Sequence, residues 1–471
     1  MAAMEETVPS YLLLDRIVRM EEEAVEEESD WAAMKCTDWK LYGRNAGDHR
    51  YDRNASRVKG LLLLARIERP PHLSELSIRL AAAAVPKRPP PASFPPGTAV
   101  LPIPDLPEAP DDLLTYVEAA GDGLIALSSS FNDGSSCYLV YDVVGTSLSV
   151  IPRLPESCLT YCSMRPLPLR GAGGYSLRGS YSLAIVAKDL QFDMEAERFV
   201  YRDVLCLCPP RPSSSSSTSS RSRDITPWQF KDAIFPSEMP ASFHADKVFS
   251  FGGHAFWADL AKGALFCRSD DVLSSRNDAV QFRYIQLPVE CRLNISFAMR
   301  GDLELCRTMS CVVIDGGDSI RFVCISDGGS SSVHAGDRAM TMWTLTLATG
   351  EWLKDAELMV ADLWELEGFE KARLPKAIPI SPVLSPQEDG VLSFMLNDAD
   401  EELYMVSLNM HSKRLLSSLT LSSCPDDIVP PLGLDLSKHL ENLSLRPIAA
   451  QAVPAKTEGC PIATKRRSSL P

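Results

Sequence analysis

The sequence predicts an all-β protein, a β-propeller of six four-stranded blades with seven as the alternative count. Three observations lead there. Short apolar runs bounded by Gly, Asp, Ser or Pro succeed one another along the chain, roughly 24 in all, with little helical periodicity between them. One hairpin format recurs: an apolar strand, a polar turn, then a strand bearing another aromatic or leucine. The runs are also short, whereas a β-sandwich predicts fewer and longer strands, and radial repetition leaves only short, protected edges.

Taken in order, the first strand falls at 12–18 and is followed by Glu21-Glu-Glu-Ala-Val-Glu-Glu-Glu-Ser-Asp30. That block of like charges repels itself and is expected to be a solvated loop or a frayed helix. A strong strand follows at 58–67, where Leu61-Leu-Leu-Leu-Ala-Arg-Ile67 is too short and too charged to span a bilayer. Residues 81–110, rich in Pro and Ala, read as a long surface connection of polyproline character. Strands at 124–127, 138–141, 183–187 and 200–207 precede a Ser-rich insertion at 211–222, which has almost no apolar surface to bury and is expected to be disordered.

Three hairpins then stand out. Ala255-Phe-Trp-Ala-Asp-Leu260 turns through Ala-Lys-Gly into Ala264-Leu-Phe-Cys267. Trp343-Thr-Leu-Thr-Leu347 turns through Ala-Thr-Gly into Glu351-Trp352, and Leu403-Tyr-Met-Val-Ser-Leu408 through Asn-Met-His-Ser into Lys413-Arg-Leu-Leu416. Between the second and third, 355–369 suits a short helix or irregular cap. Pro375, Pro379, Pro382 and Pro386 exclude a helix over 374–386. Asp389-Gly390 is turn chemistry ahead of a buried strand at 391–396. Residues 1–424 are expected to form one domain, closed where the first strand meets the last ones near 403–419, and 425–471 a low-order polar C-terminal tail.

Composition is globular, with 45% hydrophobic and 23% charged residues. A net charge of -15 argues against a nucleic-acid surface, which needs clustered Lys and Arg. No apolar run approaches membrane length, and no basic, then apolar leader opens the sequence. The expected protein is a soluble monomer of the cytoplasm or nucleus, binding neither nucleic acid nor membrane. Asn54-Ala-Ser56, Asn294-Ile-Ser296 and Asn442-Leu-Ser444 are then unused as glycosylation sites. The 13 cysteines are odd in number and scattered, and fit buried thiols of a reducing compartment. Cys206 with Cys208, Cys158 with Cys162 and Cys306 with Cys311 lack zinc-finger spacing, so no metal is expected.

The chemistry that sequence can certify is missing. There is no Gly-x-Ser-x-Gly elbow and no His-Glu-x-x-His, and Gly171-Ala-Gly-Gly174 lacks the Lys of a phosphate loop. No catalytic, cofactor-binding or metal-binding residue is assigned, and no cofactor. His254, after Gly252-Gly253, reads as part of a turn. Asp142 and Asp259 end strands just before glycine turns, where an Asp accepts backbone N–H bonds. Trp257, Trp343 and Trp364 read as core anchors. Alternation sets Ala255, Trp257 and Asp259 on one face and Phe256, Ala258 and Leu260 on the other, as in a strand buried on both sides. Arg300-Gly-Asp302 reads as a turn, and Lys465-Arg-Arg-Ser-Ser469 as a basophilic phosphorylation site or weak nuclear signal.

The wording of several segments is distinctive: Asp362-Leu-Trp364, Leu374-Pro-Lys-Ala-Ile-Pro-Ile-Ser-Pro382 with Gly390-Val-Leu-Ser-Phe-Met-Leu396, Pro9-Ser-Tyr-Leu-Leu-Leu-Asp-Arg16, Asp246-Lys-Val-Phe249 and His254-Ala-Phe-Trp-Ala-Asp-Leu260. These resemble the plant family known as domain of unknown function 1618, expanded in grasses. The nearest architectural relatives are kelch-like and F-box-associated propellers. The family has no established activity, so the resemblance implies a lineage without a reaction. The expected function is a non-enzymatic protein-interaction scaffold. A substrate-recognition adaptor for a ubiquitin ligase and a propeller hydrolase are the alternatives, the former weakened because residues 1–60 show no Leu-Pro-rich F-box helices.

Overall fold

Apolar alternation over five to eight residues, cut by Gly, Asp and Pro, leaves the backbone little choice but strands. The computed structural model is all-β, with four α-helical segments of four or five residues among the described parts: Ser269–Leu273, Leu303–Cys306, Val360–Trp364 and Glu367–Lys371. It describes residues 11–20, 31–42, 61–79, 114–131, 136–160, 165–171, 181–194, 197–208, 227–274, 279–295, 300, 303–313, 319–326, 334–397, 402–421, 429–435 and 446–447. The acidic block, the Pro-rich connection, the Ser-rich insertion, Asn54, Asn442 and the basic run at 465–469 lie outside the described residues.

Three sheets have the expected four strands, each paired antiparallel to the next in sequence. One holds Lys247–Phe251, His254–Asp259, Gly263–Arg268 and Arg283–Gln286; the next Arg307–Val312, Ser319–Ile325, Ala339–Thr346 and Glu351–Met359; the last Ile380–Leu384, Val391–Asn397, Leu403–Asn409 and Arg414–Leu421. The other two depart from four. A six-stranded sheet is built on the long pair Tyr181–Asp193 and Arg198–Cys208. A twelve-stranded sheet joins the antiparallel series Leu114–Gly121, Leu124–Ser130, Ser136–Asp142, Ser147–Pro152 to the N-terminal strands. Three parallel pairings help make that larger sheet: Leu12–Leu14 and Ile17–Met20 beside Leu73–Arg79, and Asp38–Leu41 beside Ser147–Pro152.

Six strands, drawn from all five sheets, touch in a cycle. Leu114–Gly121 meets Leu167–Arg170, which meets Lys247–Phe251, then Arg307–Val312, Ile380–Leu384 and Leu432–Leu434, which returns to Leu114–Gly121. The apolar clusters lie between neighbouring sheets. Phe256, Phe266, Phe322 and Trp343 share one; Met342, Leu358, Phe394 and Leu408 share the next. Tyr11 and Leu13 pack with Met395, Leu403 and Met405, while Leu12 and Leu14 pack on the other side with Ile125, Leu139 and Leu148.

The first strand, Leu12–Leu14, therefore does pack beside the last four-stranded sheet, and the Tyr11 hydroxyl lies 3.4 Å from Ser393 Oγ. Its backbone partners, however, are Leu73–Arg79, parallel on one edge, and Leu432–Leu434, antiparallel on the other and within the stretch expected to be a low-order tail. Leu-Gly-Leu is too short to carry a period, and only the unpaired edge of Leu12–Leu14 selects it.

The three foreseen hairpins form in the foreseen places. The alternation read at Trp257 also holds. Ala255 and Trp257 enter the cluster shared with the six-stranded sheet, and Phe256, Ala258 and Leu260 enter the one opposite. The proline-stiffened connection ends in Ile380–Leu384, whose register shifts between Ile380 and Val383. Pro382 cannot donate to the ladder and Ser381 takes a φ of 53°, so the two residues bulge out. At the following turn Gly390 has a φ of 69°, and a Cβ there would lie 2.7 Å from His411 Nδ1.

Candidate functional site

Buried charge is costly unless it is paired, and here strands that touch one another, with the residues just before them, bring their charges to one place. Glu304, on the single helical turn that leads into Arg307–Val312, accepts from Arg16 Nη1 at 2.9 Å and pairs with Lys247 Nζ at 2.9 Å. Arg165, two residues ahead of Leu167–Arg170, closes on its other oxygen. Glu118 of Leu114–Gly121 lies 3.9 Å from Arg16 and 4.0 Å from Arg165. Four regions of the cycle thus share one hub of three cations and two carboxylates. Burial alone would raise the Glu304 carboxyl; Lys247, Arg165 and Arg16 overcome it and hold it at about 2. Burial brings the Lys247 amine down to about 8, with Glu304 limiting the fall.

A second buried group adjoins it. Asp259 is fully buried and accepts from the backbone N–H of Ala261 at 2.9 Å, that of His244 at 3.0 Å, and Arg300 Nη2 at 2.9 Å. Asp246 accepts from the Leu260 N–H at 2.8 Å and from Arg300 Nη1 at 3.4 Å. Burial, with the Asp259 charge adding to it, pushes the Asp246 carboxyl up to about 7. Burial and the Arg300 cation bring His244 down to about 4, so its imidazole is neutral at pH 7. His244 Nε2 stands 3.5 Å from Asp246 Oδ1.

The turn-setting role read for the two aspartates is what the geometry has. Asp142 repeats the Asp259 design: Oδ1 accepts from Val144 and Gly145 N–H at 3.0 and 2.9 Å and from Arg170 Nη2 at 2.7 Å. His254 faces the Gly252 carbonyl at 2.9 Å, in the turn. Trp257 is wholly buried, and Trp364 donates to the Ala377 carbonyl at 3.2 Å. Trp343 is buried but also lines a cleft of about 580 Å³ with Tyr284, Glu290, Arg292 and Trp352. Arg300 does begin a turn, its carbonyl accepting from Leu303 N–H at 3.0 Å, yet its side chain is buried on two aspartates. Arg16, Glu118, Arg165, Lys247, Glu304, Asp246 and His244 were not singled out as a group from sequence. Their signal is slight: isolated charges within or beside apolar runs, two of them in the Asp246-Lys-Val-Phe249 wording.

One surface is unlike the rest. The pair Tyr181–Asp193 and Arg198–Cys208 stays in register from Leu183 opposite Cys208 to Asp193 opposite Arg198. Its flanking strands cover only part of it: Cys158–Thr160 reaches Asp189, and Gln229–Ile234 covers Val204 to Leu207. The outer half projects. Directly opposed residues share a face, so Leu190 with Tyr201 and Phe192 with Phe199 form one apolar face. Phe192 is 49% exposed, Phe199 66%, Tyr201 57% and Met194, at the tip, 80%. The two phenyl rings meet edge to face at 5.2 Å.

Residues 257–393 match the family model described as "Protein of unknown function (DUF1618)". The matched stretch runs from the Trp257 strand through the whole Arg307–Met359 sheet to the start of Val391–Asn397. It is narrower than the distinctive wording, which begins at Pro9. No curated protein matches the sequence. Among solved structures, similarity is found to the Bombyx mori GH32 beta-fructofuranosidase (9% identity, 65% of this chain and 58% of that one, TM-score 0.24). It is also found to the Aleuria aurantia lectin (10%, 68% and 81%, TM-score 0.27) and the Coprinopsis cinerea GH62 alpha-L-arabinofuranosidase (13%, 64% and 84%, TM-score 0.25). The chain spans less than two thirds of the Bombyx enzyme, and overlaps this loose carry no argument about fold or activity. Among the described residues no helix is long and apolar enough to cross a membrane.

Proposed function

We propose that this chain is a six-bladed β-propeller that works as a non-enzymatic protein-interaction scaffold in the cytoplasm or nucleus. Support for the propeller is the cycle of six touching strands, with apolar clusters between neighbouring sheets. The observation that carries the function is how differently charge and apolar surface are used. Glu304, Glu118, Asp246, Asp259 and Asp142 each face an arginine or lysine, most of them with further N–H or O–H donors. A general acid or base needs a lone pair or proton aimed at an open site, and these are committed to holding strands together. The projecting hairpin instead offers large apolar groups to whatever approaches. With a net charge of -15 over the sequence, a protein suits that surface better than a nucleic acid.

The test is affinity purification on the wild type and on Phe199→Asp/Tyr201→Asp, read by mass spectrometry. Specific proteins should accompany the wild type and be lost from a variant of unchanged melting temperature. Retention of the same proteins by the variant would refute the hairpin as the site. Turnover of glycosides or esters that disappears on Asp246→Asn would replace the scaffold with an enzyme.

A further inference from the structure

We infer that the apolar face of the projecting hairpin is a self-association surface, on which a second copy of this chain lays the same face across a two-fold axis. The inference rests on the scaffold reading and names the first partner of that site. Phe192, Phe199, Tyr201 and Met194 leave about 500 Å² of side-chain surface in water, taking roughly 200 Å² for each such side chain. That is at the top of what monomers ordinarily leave open. Two copies face to face would remove at most about 1,000 Å² from these side chains, the threshold for a specific interface.

The geometry and charge of the face admit a like partner. The face belongs to a two-stranded ribbon, and sheet faces pack on one another at about 10 Å, the spacing of sandwiched sheets. An isologous contact needs a surface that complements itself. Lys188 and Asp203, directly opposed on this face at its root, bring one charge of each sign. On the reverse side Arg198 opposes Asp193, and Arg202 pairs with Asp232. Counting Lys188, Arg198 and Arg202 against Asp189, Asp193, Glu195, Glu197 and Asp203, the stretch 188–203 carries a net charge of -2, a small repulsion between copies that salt screens.

Sedimentation equilibrium on the purified full chain, from about 1 to 200 µM, tests this. The weight-average mass should climb towards twice the monomer, and added NaCl should leave the climb in place or steepen it, as for an apolar contact. Phe199→Asp should hold the chain monomeric across the series, and Met194→Glu should weaken association at least about tenfold, with circular dichroism and melting unchanged. Both positions are exposed, so neither substitution removes core packing. A wild type that stays monomeric throughout, or variants that associate as the wild type does, would overturn the inference. If the wild type is monomeric while Phe199→Asp still loses a captured protein, self-association fails and the scaffold reading stands.

Discussion

Trp257 and Phe199 both sit in long-paired antiparallel strands with an apolar group directly opposite, yet one is wholly buried and the other is 66% exposed. Alternation sets each of them on an apolar face and does not say whether that face is covered. What differs is the company. His254–Asp259 lies inside a four-stranded sheet with another sheet on each face, whereas Arg198–Cys208 outruns the strands beside it from Asp203 onward. An aromatic in a strand is a core residue only as far as neighbouring sheets extend.

The sharpest break of that comparison is Trp257→Ala. It should cost about 3 to 5 kcal/mol in equilibrium denaturation, through lost burial and a cavity that two packed sheets cannot collapse. The Trp257 indole N–H has no hydrogen-bond partner, so no bond is lost with it. A cost below about 1 kcal/mol would place this strand at the surface.

The ionic hub offers a second contrast, since it is equally central but polar. Glu304→Gln strands Arg16, Arg165 and Lys247 around a neutral amide and should cost about 3 kcal/mol. The pH dependence gives a further check. The Glu304 carboxyl lies at about 2 in the fold against its ordinary 4.5, so between those values the unfolded chain binds the extra proton. The stabilisation is complete above pH 4.5 and is lost as the pH falls through 2. The gap in stability between wild type and Glu304→Gln should therefore be constant from pH 7 to 5 and narrow below that; a gap that stays level in acid would mean Glu304 is not held by its cations.

Smaller effects belong to the turns. Asp142→Ala removes the acceptor for two backbone N–H groups and the partner of Arg170, and should cost about 1 to 2 kcal/mol in urea denaturation. Asp142→Asn, which keeps an oxygen for the turn, should recover part of it. Smallest of all, Phe199→Ala should change monomer stability by less than about 0.5 kcal/mol, measured below 1 µM where self-association is negligible. A larger loss would mean that the hairpin tip packs on its own chain.

Much of the strand architecture was legible because its causes are local. A turn such as Asp259-Leu-Ala-Lys-Gly263 carries its own hydrogen bonds, the two-residue alternation at Trp257 needs no knowledge of its neighbours, and four prolines forbid a helix wherever they occur. The bulge at Ser381 and Pro382 has a local cause too, a missing donor, but the strand that carries it was not expected. The sequence by itself therefore determined that the chain is all-β, where its best hairpins turn, and which strand is buried on both faces. Only the tertiary structure decided the rest. Arg16 and Glu304 are 288 positions apart, and nothing in either neighbourhood names the other. The Leu-Gly-Leu of 432–434 becomes a strand because Leu12–Leu14 presents an unpaired edge. The hairpin tip is exposed because its flanking strands stop short. Each of these depends on which distant backbone arrives alongside, a choice made by the balance of all the packed sheets rather than by any one stretch of residues.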